Sequence, residues 1–485
     1  MKERRKENSK LKLFLDNFLI YGLGGIINSI IPLVMLPIIT RLLPCTEYYG
    51  LNDLMNTLVQ FCSALGVLGL YDAMYRMFFE RDDDNYKREI CSTALVITII
   101  SGITVSIILL IFNQLISKLF FGNSRYYFLV LIAAISVAFG TCGNIIAAPI
   151  RMQNKGKLFI ITHAITPILS YSIGLILIFN GYYLLGLPIA ALISSGIMFV
   201  TYILINKNWF KFSSFNKTNV KQLLVIGLPL VPNFLIYWVF NSCDKLMIAN
   251  LLTVSEAGIY SIGSKLGHAS QLIYTAFAGG WQYFAFSTMK EKNQVESNSK
   301  VFEYLGILSF ITTGFICAWS HMIFKILFRA DYLDGYIVAP YLFLAPLLQM
   351  LFQVAANQFL IVKKTWPNLL ILSSGAFLNI LINYFFIPVL GIEGASLATL
   401  IGYIVSDIVC VIVLCHMNLM IVSKRFVIAT IVMSCFMVTW RLLFNNKLAF
   451  GTFAALIHAI IMVILYWKDF SLLFQTVKIK KGTLL

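Results

Sequence analysis

The sequence predicts an all-α polytopic membrane protein of fourteen transmembrane helices, built as two pseudo-symmetric six-helix bundles followed by two C-terminal helices. Three observations lead there. Of 485 residues, 59% are hydrophobic and only 12% charged, with a mean hydropathy of +0.84, a balance outside the range of soluble globular chains. Apolar runs of about 20 residues recur from end to end, each long enough to cross about 30 Å of hydrocarbon. Positive charge alternates between successive inter-span segments, and stretches of the first half recur in the second.

The elements follow in order. Residues 1–12 (MKERRKENSKLK) form a basic, cytoplasmic leader. The apolar segment behind it is too long for a signal-peptide core and lacks a small-residue cleavage site, so it is expected to stay as the first span. Spans are expected near 13–40, 48–76, 90–113, 126–149, 158–180, 183–205, 223–243 and 258–285. The others lie near 301–324, 336–362, 367–389, 393–415, 426–444 and 449–467. An N-lobe at 13–205 and a C-lobe at 223–415 are joined by a linker at 206–222; 416–467 holds the last two helices and 468–485 a basic tail.

With the N-terminus in the cytoplasm, the inner segments collect Lys2, Arg4, Arg5, Arg81, Lys87, Arg88, Arg151, Lys155, Lys157 and the lysines of the linker and tail. The opposite side keeps only Arg41, Lys118, Arg125, Lys245, Lys325, Arg329, Arg441 and Lys447. This bias follows the positive-inside rule and supports an even span count with both termini cytoplasmic. It also accounts for the net charge of +16 without any nucleic-acid partner. The nine cysteines form no CxxC pair or Cys/His cluster, so they are expected as reduced, mostly buried thiols, with no cofactor and no metal. The run Asp82-Asp83-Asp84 has no nucleotide-binding domain around it and is expected to be a solvated charge run. No inter-span connection has room for a soluble catalytic domain; the chain is expected to be a carrier, not an enzyme.

An internal repeat organises the spans. ITRLLPCTE at 39–47 matches IANLLTVSE at 248–256, and GLPIAALIS at 186–194 matches GASLATLIG at 394–402. Parallel repeats of six spans place a substrate site between the halves, near the membrane midplane. The stretch Asp244 to Thr275 begins with an adjacent acid and base, then carries Ser261, Lys265, His268, Gln271 and Thr275 at three-to-four-residue spacing, which gives one polar helical face. Charges at membrane depth are costly, roughly 2.5–3.5 kcal/mol each on insertion scales, and face a bundle interior or a watery cavity.

Residues 39–76, DKLMIANLLTVSEAGIYSIGSKL at 244–266 and PVLGIEGASLATLIGYIVSD at 388–407 resemble polysaccharide biosynthesis proteins of the Wzx-type oligosaccharide flippase family. These lie within the multidrug/oligosaccharidyl-lipid/polysaccharide exporter superfamily. The resemblance covers nearly the whole chain and implies a MATE-like fold. It also implies movement of an undecaprenyl-pyrophosphate-linked oligosaccharide between leaflets of the bacterial cytoplasmic membrane, by two lobes alternating in access. The implied partners are that lipid-linked oligosaccharide, membrane lipids and other polysaccharide assembly proteins.

Such a substrate is an anion at the pyrophosphate, a hydrogen-bonding surface along the sugars and an apolar tail. Lys265 lies about 10 Å and His268 about 15 Å below the outer end of their span, at 1.5 Å per residue. Lys265 is a candidate pyrophosphate contact, or else the partner of Asp244 or another carboxylate. His268 is a second candidate, or a histidine bonded to a neighbouring helix. Gln271, Asn56, Gln60, Asn233, Tyr237, Asn241 and Gln353 offer neutral polar groups for sugars; interhelical hydrogen bonding is the alternative for each. Arg76 and Asp72, one turn apart, are candidates for gating. Asp53, Asp244, Lys245, His163 and Asp407 are candidates for gating or ion coupling. Prolines 32 and 37, and 229 and 232, predict bent first helices in each half. The runner-up function is a multidrug and toxin extrusion-type cation antiporter. A membrane-embedded glycan polymerase or ligase is the rival of another class, and lacks here its long outer loop. A lipid II flippase shares architecture and substrate chemistry with the leading reading.

Overall fold

The computed structural model describes residues 30–469, apart from 276, 278–280, 282–284, 286–287 and 365, together with Ser471. The described residues are almost wholly helical. In chain order the helices are α1 (Ile30–Leu42), α2 (Thr46–Val67), α3 (Leu70–Phe78), α4 (Asp84–Ile111), α5 (Asn113–Phe121) and α6 (Tyr127–Met152). Next come α7 (Gly156–Phe179), α8 (Gly186–Asn206), α9 (Lys217–Gly227), α10 (Val231–Trp238), α11 (Asp244–Leu251) and α12 (Val254–Gly267). The last are α13 (Gln294–Leu327), α14 (Gly335–Ile361), α15 (Trp366–Leu390), α16 (Ile392–His416), α17 (Lys424–Thr439) and α18 (Leu448–Leu465).

Among the described residues, eleven helices are long and apolar enough to cross a membrane, or twelve when α2 and α3 count as one bent span. The expected fourteen are not reached among the described residues. The expected span 13–40 begins outside them, and 258–285 is described only in part. The span expected at 48–76 is bent by 46° between α2 and α3. Leu68 and Gly69 both take left-handed backbone angles there, with φ of 54° and 68°, which ends α2 and restarts the chain in a new direction. A Cβ at Gly69 would lie 2.3 Å from the carbonyl oxygen of Gly227, so this bend needs glycine for space as well as for φ. The stretch 217–251 is likewise not one regular helix. A 3₁₀ turn at Leu228–Leu230 contains Pro229, and a π turn at Val239–Cys243 joins α10 to α11. Proline removes one backbone donor, and π turns mark local departures from the regular ladder.

The chain forms two compact units, Met1–Ile262 with Asn379–Ala395, and Gly263–Leu378 with Ser396–Leu485. In the first, α6 is the central helix and packs against α2, α4 and α8. Its core at one end comprises Leu70, Met74 and Met77 of α3, Ile90 and Ala94 of α4, Ile145 of α6 and Leu223 of α9. Burying side chains of this size contributes roughly 1.5–3 kcal/mol each. Asp83 caps α4 by accepting from the Asn85 amide at 3.0 Å, and Asp82 pairs with Lys87 at 2.7 Å. The hydrogen bond from the Lys87 ammonium holds the Asp82 carboxyl below its usual range. The triple-aspartate run is thus used for capping and surface pairing, and no group of potential metal ligands is present among the described residues.

In the second unit α13 is central, packed against α14, α17 and α18. Glu303 of α13 fastens the last two helices: it accepts from the Ser423 amide at 2.7 Å, the Ser423 hydroxyl at 2.8 Å and the Tyr466 hydroxyl at 2.8 Å. Ser423 in turn caps α17 at the Phe426 amide. Apolar side chains such as Ile100, Ile176, Val389 and Ile412 face outward at 61–79% exposure, as a bilayer-facing surface requires.

Candidate functional site

The adjacent acid and base that begin α11 point to different helices. Lys245 Nζ lies 2.8 Å from Asp53 Oδ2 on α2, and the two side chains are only 12% and 6% exposed. The same carboxylate oxygen accepts from the Ser261 hydroxyl of α12 at 2.8 Å. Asp244 accepts at Oδ1 from the Lys245 amide at 2.8 Å and at Oδ2 from the Tyr260 hydroxyl. Two carboxylates, one ammonium and two hydroxyls therefore tie α2, α11 and α12 together inside the first unit. Taking such charges out of water costs several kcal/mol per ion, which only close pairing and further hydrogen bonds offset. Here both are present.

Two of these helices, α2 and α12, meet with their backbones almost touching. A Cβ at Gly50 would lie 2.3 Å from the Val254 carbonyl oxygen, and one at Gly258 would lie 2.3 Å from the Thr46 carbonyl oxygen. Thr46 and Ser255 share a hydrogen bond between their hydroxyls. These two residues occupy aligned positions of the repeat ITRLLPCTE and IANLLTVSE, so the repeated segments meet about a local two-fold relation. Polar pairing and close glycine contact are general devices of helix association in lipid. Glu47, one residue further, pairs at the surface with Arg125 at 3.4 Å and with the Tyr126 hydroxyl.

The remaining candidates divide between the units. In the first, Asn56 is half-buried and Gln60 exposed on α2. Helix α10, which carries Asn233 and Tyr237, packs on α2 through Trp238 against Phe61 with ring centroids 4.5 Å apart. Asn241 is exposed and donates to the Tyr237 carbonyl at 2.7 Å. Asp72 and Arg76 are both exposed, one turn apart on α3; the charge that acts on Asp72 is that of Arg151. Arg151 and His163, with Tyr71 and Tyr202, line a cavity of about 200 Å³, and the His163 ring lies tilted against Phe159, centroids 4.0 Å apart.

In the second unit, Gly263 and Gly267 of α12 press against α14, and Lys265 between them is half-buried on the other side of the helix. His268 Nδ1 sits 2.7 Å from the Ser264 carbonyl and 3.1 Å from its hydroxyl, at the junction where α12 passes into a 3₁₀ turn. Gln271 is half-buried, and Gln353 donates to the Tyr274 hydroxyl. Asp407 is 8% exposed, on the wall of a separate apolar pocket. The sequence thus singled out Asp53, Asp244 and Lys245 but not Tyr260, the partner of Asp244, nor the Thr46–Ser255 pair or the role of Gly50 and Gly258. The signal for Thr46, Ser255, Gly50 and Gly258 was the repeat itself, since like residues at aligned positions meet.

A family model described as polysaccharide biosynthesis protein matches residues 38–334, more than half of the chain. No curated protein matches in sequence. The solved structure of the lipid II flippase MurJ, in an inward closed conformation, is similar with a TM-score of 0.70 and 15% identity, over 93% of this chain and 99% of that one. A multidrug resistance MATE family transporter in an inward-facing conformation is similar with a TM-score of 0.59 and 14% identity, over 82% and 94%. The Vibrio cholerae MATE transporter VcmN, as a mutant, gives 0.60 and 14%, over 85% and 98%. At these identities the likeness shows a shared fold.

Proposed function

Because this chain belongs to the polysaccharide biosynthesis protein family, we propose that it is a flippase for undecaprenyl-pyrophosphate-linked oligosaccharides, working by alternating access. The observation that carries this reading is the family match to a chain that folds like a lipid II flippase along nearly its whole length. Families and folds of this kind point to transporters rather than enzymes. The chain is a multi-pass membrane protein; the charge bias supports a bacterial cytoplasmic membrane, with both termini in the cytoplasm, and other polysaccharide assembly proteins are its candidate partners.

Within this reading, Lys265 and His268 supply positive charge to the pyrophosphate, and the amides at 56, 60, 233, 241, 271 and 353, with Tyr237, meet sugar hydroxyls. Lobes 13–205 and 223–415 are the moving bodies. The Asp53–Lys245 pair is the charged latch between α2 and α11, and a change in its partners accompanies the change in access. Asp72 and Arg76, His163 and Asp407 are the further gating or coupling groups. A charge-assisted contact to phosphate is about twice as strong as a neutral hydrogen bond. Lys265→Ala is therefore expected to lower the flipping rate at least tenfold in proteoliposomes, while Lys265→Arg retains most of it. Equal rates in wild type and folded Lys265→Ala protein would remove Lys265 from the substrate path.

The second reading is export of an organic cation. It is favoured by the MATE-like fold and by the buried carboxylates Asp53, Asp244 and Asp407.

A further inference from the structure

The second unit contains a pocket of about 330 Å³, lined by residues of α13, α14, α16 and α17 and the connection before α17. Its inner wall is apolar and buried, with Phe310, Leu348 and Met433 at 2–6% exposure. Its rim is Ile408 and Ile412 of α16 and Val427 and Ile431 of α17, which are 51–62% exposed. The pocket therefore opens sideways between two helices, on a surface that meets lipid. One ionisable group lines it. Asp407 is 8% exposed, and neither carboxylate oxygen has a hydrogen-bond partner among the described residues. The two other polar linings are satisfied: Thr430 donates to the Phe426 carbonyl at 3.0 Å and Ser434 to the Thr430 carbonyl at 2.9 Å.

We propose that this pocket is a binding site for a membrane-dissolved amphiphile bearing a protonated amine, whose ammonium pairs with Asp407 while its apolar body fills the cavity. The volume falls at the lower end of the roughly 300–1,000 Å³ of small-molecule sites, which share this pattern of apolar lining with few polar groups. A carboxylate withdrawn from water with no partner loses its hydration for nothing in return. A ligand that brings its own N–H donors and positive charge supplies what the wall lacks, through a charge-assisted hydrogen bond. A neutral hydrocarbon chain would fill the space and leave both oxygens unmatched. Asp407 also lies nine residues before the end of α16, about 14 Å along the helix axis. A phospholipid head group does not reach that depth, so the ligand is one that partitions into the hydrocarbon as a whole.

The test uses the full chain in lipid nanodiscs with tritiated N,N-dimethyldecylamine, subtracting uptake by empty nanodiscs. Saturable binding is expected, displaced by the unlabelled amine and not by 1-decanol. Asp407→Asn should weaken it at least tenfold and Asp407→Glu should retain it. Met433→Trp, which fills the cavity and keeps the carboxylate, should weaken it as well, and it decides the matter if Asp407→Asn does not fold. Thermal unfolding of each variant confirms an intact protein. The proposal is overturned if folded wild type shows no saturable binding, if 1-decanol competes as well as the amine, or if the folded pocket variants bind like wild type.

Discussion

Lys245→Ala is expected to cost about 3–5 kcal/mol, because it breaks a close ion pair to Asp53, whose side chain is only 6% exposed. The loss should appear as a lower thermal unfolding midpoint in detergent and as a collapse of transport in proteoliposomes. The Ser261 hydroxyl still donates to Asp53, but a neutral donor does not replace a charge-assisted contact, which is roughly twice as strong. The pairing, as distinct from the lysine alone, is tested by exchange. Asp53→Lys with Lys245→Asp restores the opposite charges across α2 and α11, and should recover a substantial part of both stability and transport. Asp53→Lys alone places two cations together and should be worse than either. If the exchanged protein behaves no better than Asp53→Lys, the ion pair is not what holds these helices.

Gly258→Leu is the second large effect expected. Any Cβ at this position would lie 2.3 Å from the Thr46 carbonyl oxygen and 3.1 Å from the Gly50 nitrogen, so α2 and α12 must separate. Backbone atoms cannot swing aside as a flexible side chain can. Overpacking in a close-packed interior costs typically 1–3 kcal/mol and occasionally more, and a longer side chain would also pull the Thr46–Ser255 hydroxyl pair apart. The expected result is a strongly reduced monodisperse fraction on size-exclusion chromatography, together with a lower unfolding midpoint. Gly143→Ala is the control, since nothing lies within 4 Å of a Cβ there. In a helix interior alanine is better than glycine by about 1 kcal/mol. A Gly258→Leu protein as stable as Gly143→Ala would contradict the close backbone contact.

Much of this fold was legible because the bilayer imposes one length and one polarity on every span. Helices α6, α14 and α16 lie within about three residues of the apolar runs that predict them, while α4 and α13 begin earlier, in polar sequence. The break at Leu68–Gly69 was not legible: the apolar run continues through it, and the left-handed angles answer to the nearby Gly227 backbone, a tertiary contact. The π turn at Val239–Cys243 is invisible for the same reason. In the site, the cost of burying charge drew attention to Asp53, Asp244 and Lys245. Cost does not say which opposite charge answers it, and Lys265 was as eligible a partner for Asp244 as the Tyr260 hydroxyl that contacts it. Asp82, Asp83 and Asp84 show the opposite case, where a conspicuous acidic run resolves into a helix cap and a surface pair.

The measurement that tests the central claim most directly is leaflet exchange by the wild-type protein. Purified protein in liposomes is given a fluorescent undecaprenyl-pyrophosphate oligosaccharide, and a membrane-impermeant reductant reports the fraction in the outer leaflet over time. In parallel, the same vesicles are offered a fluorescent organic cation. The flippase account predicts protein-dependent movement of the lipid-linked oligosaccharide and none of the cation. Export of the cation with no movement of any pyrophosphate-linked lipid would contradict it and establish the antiporter in its place.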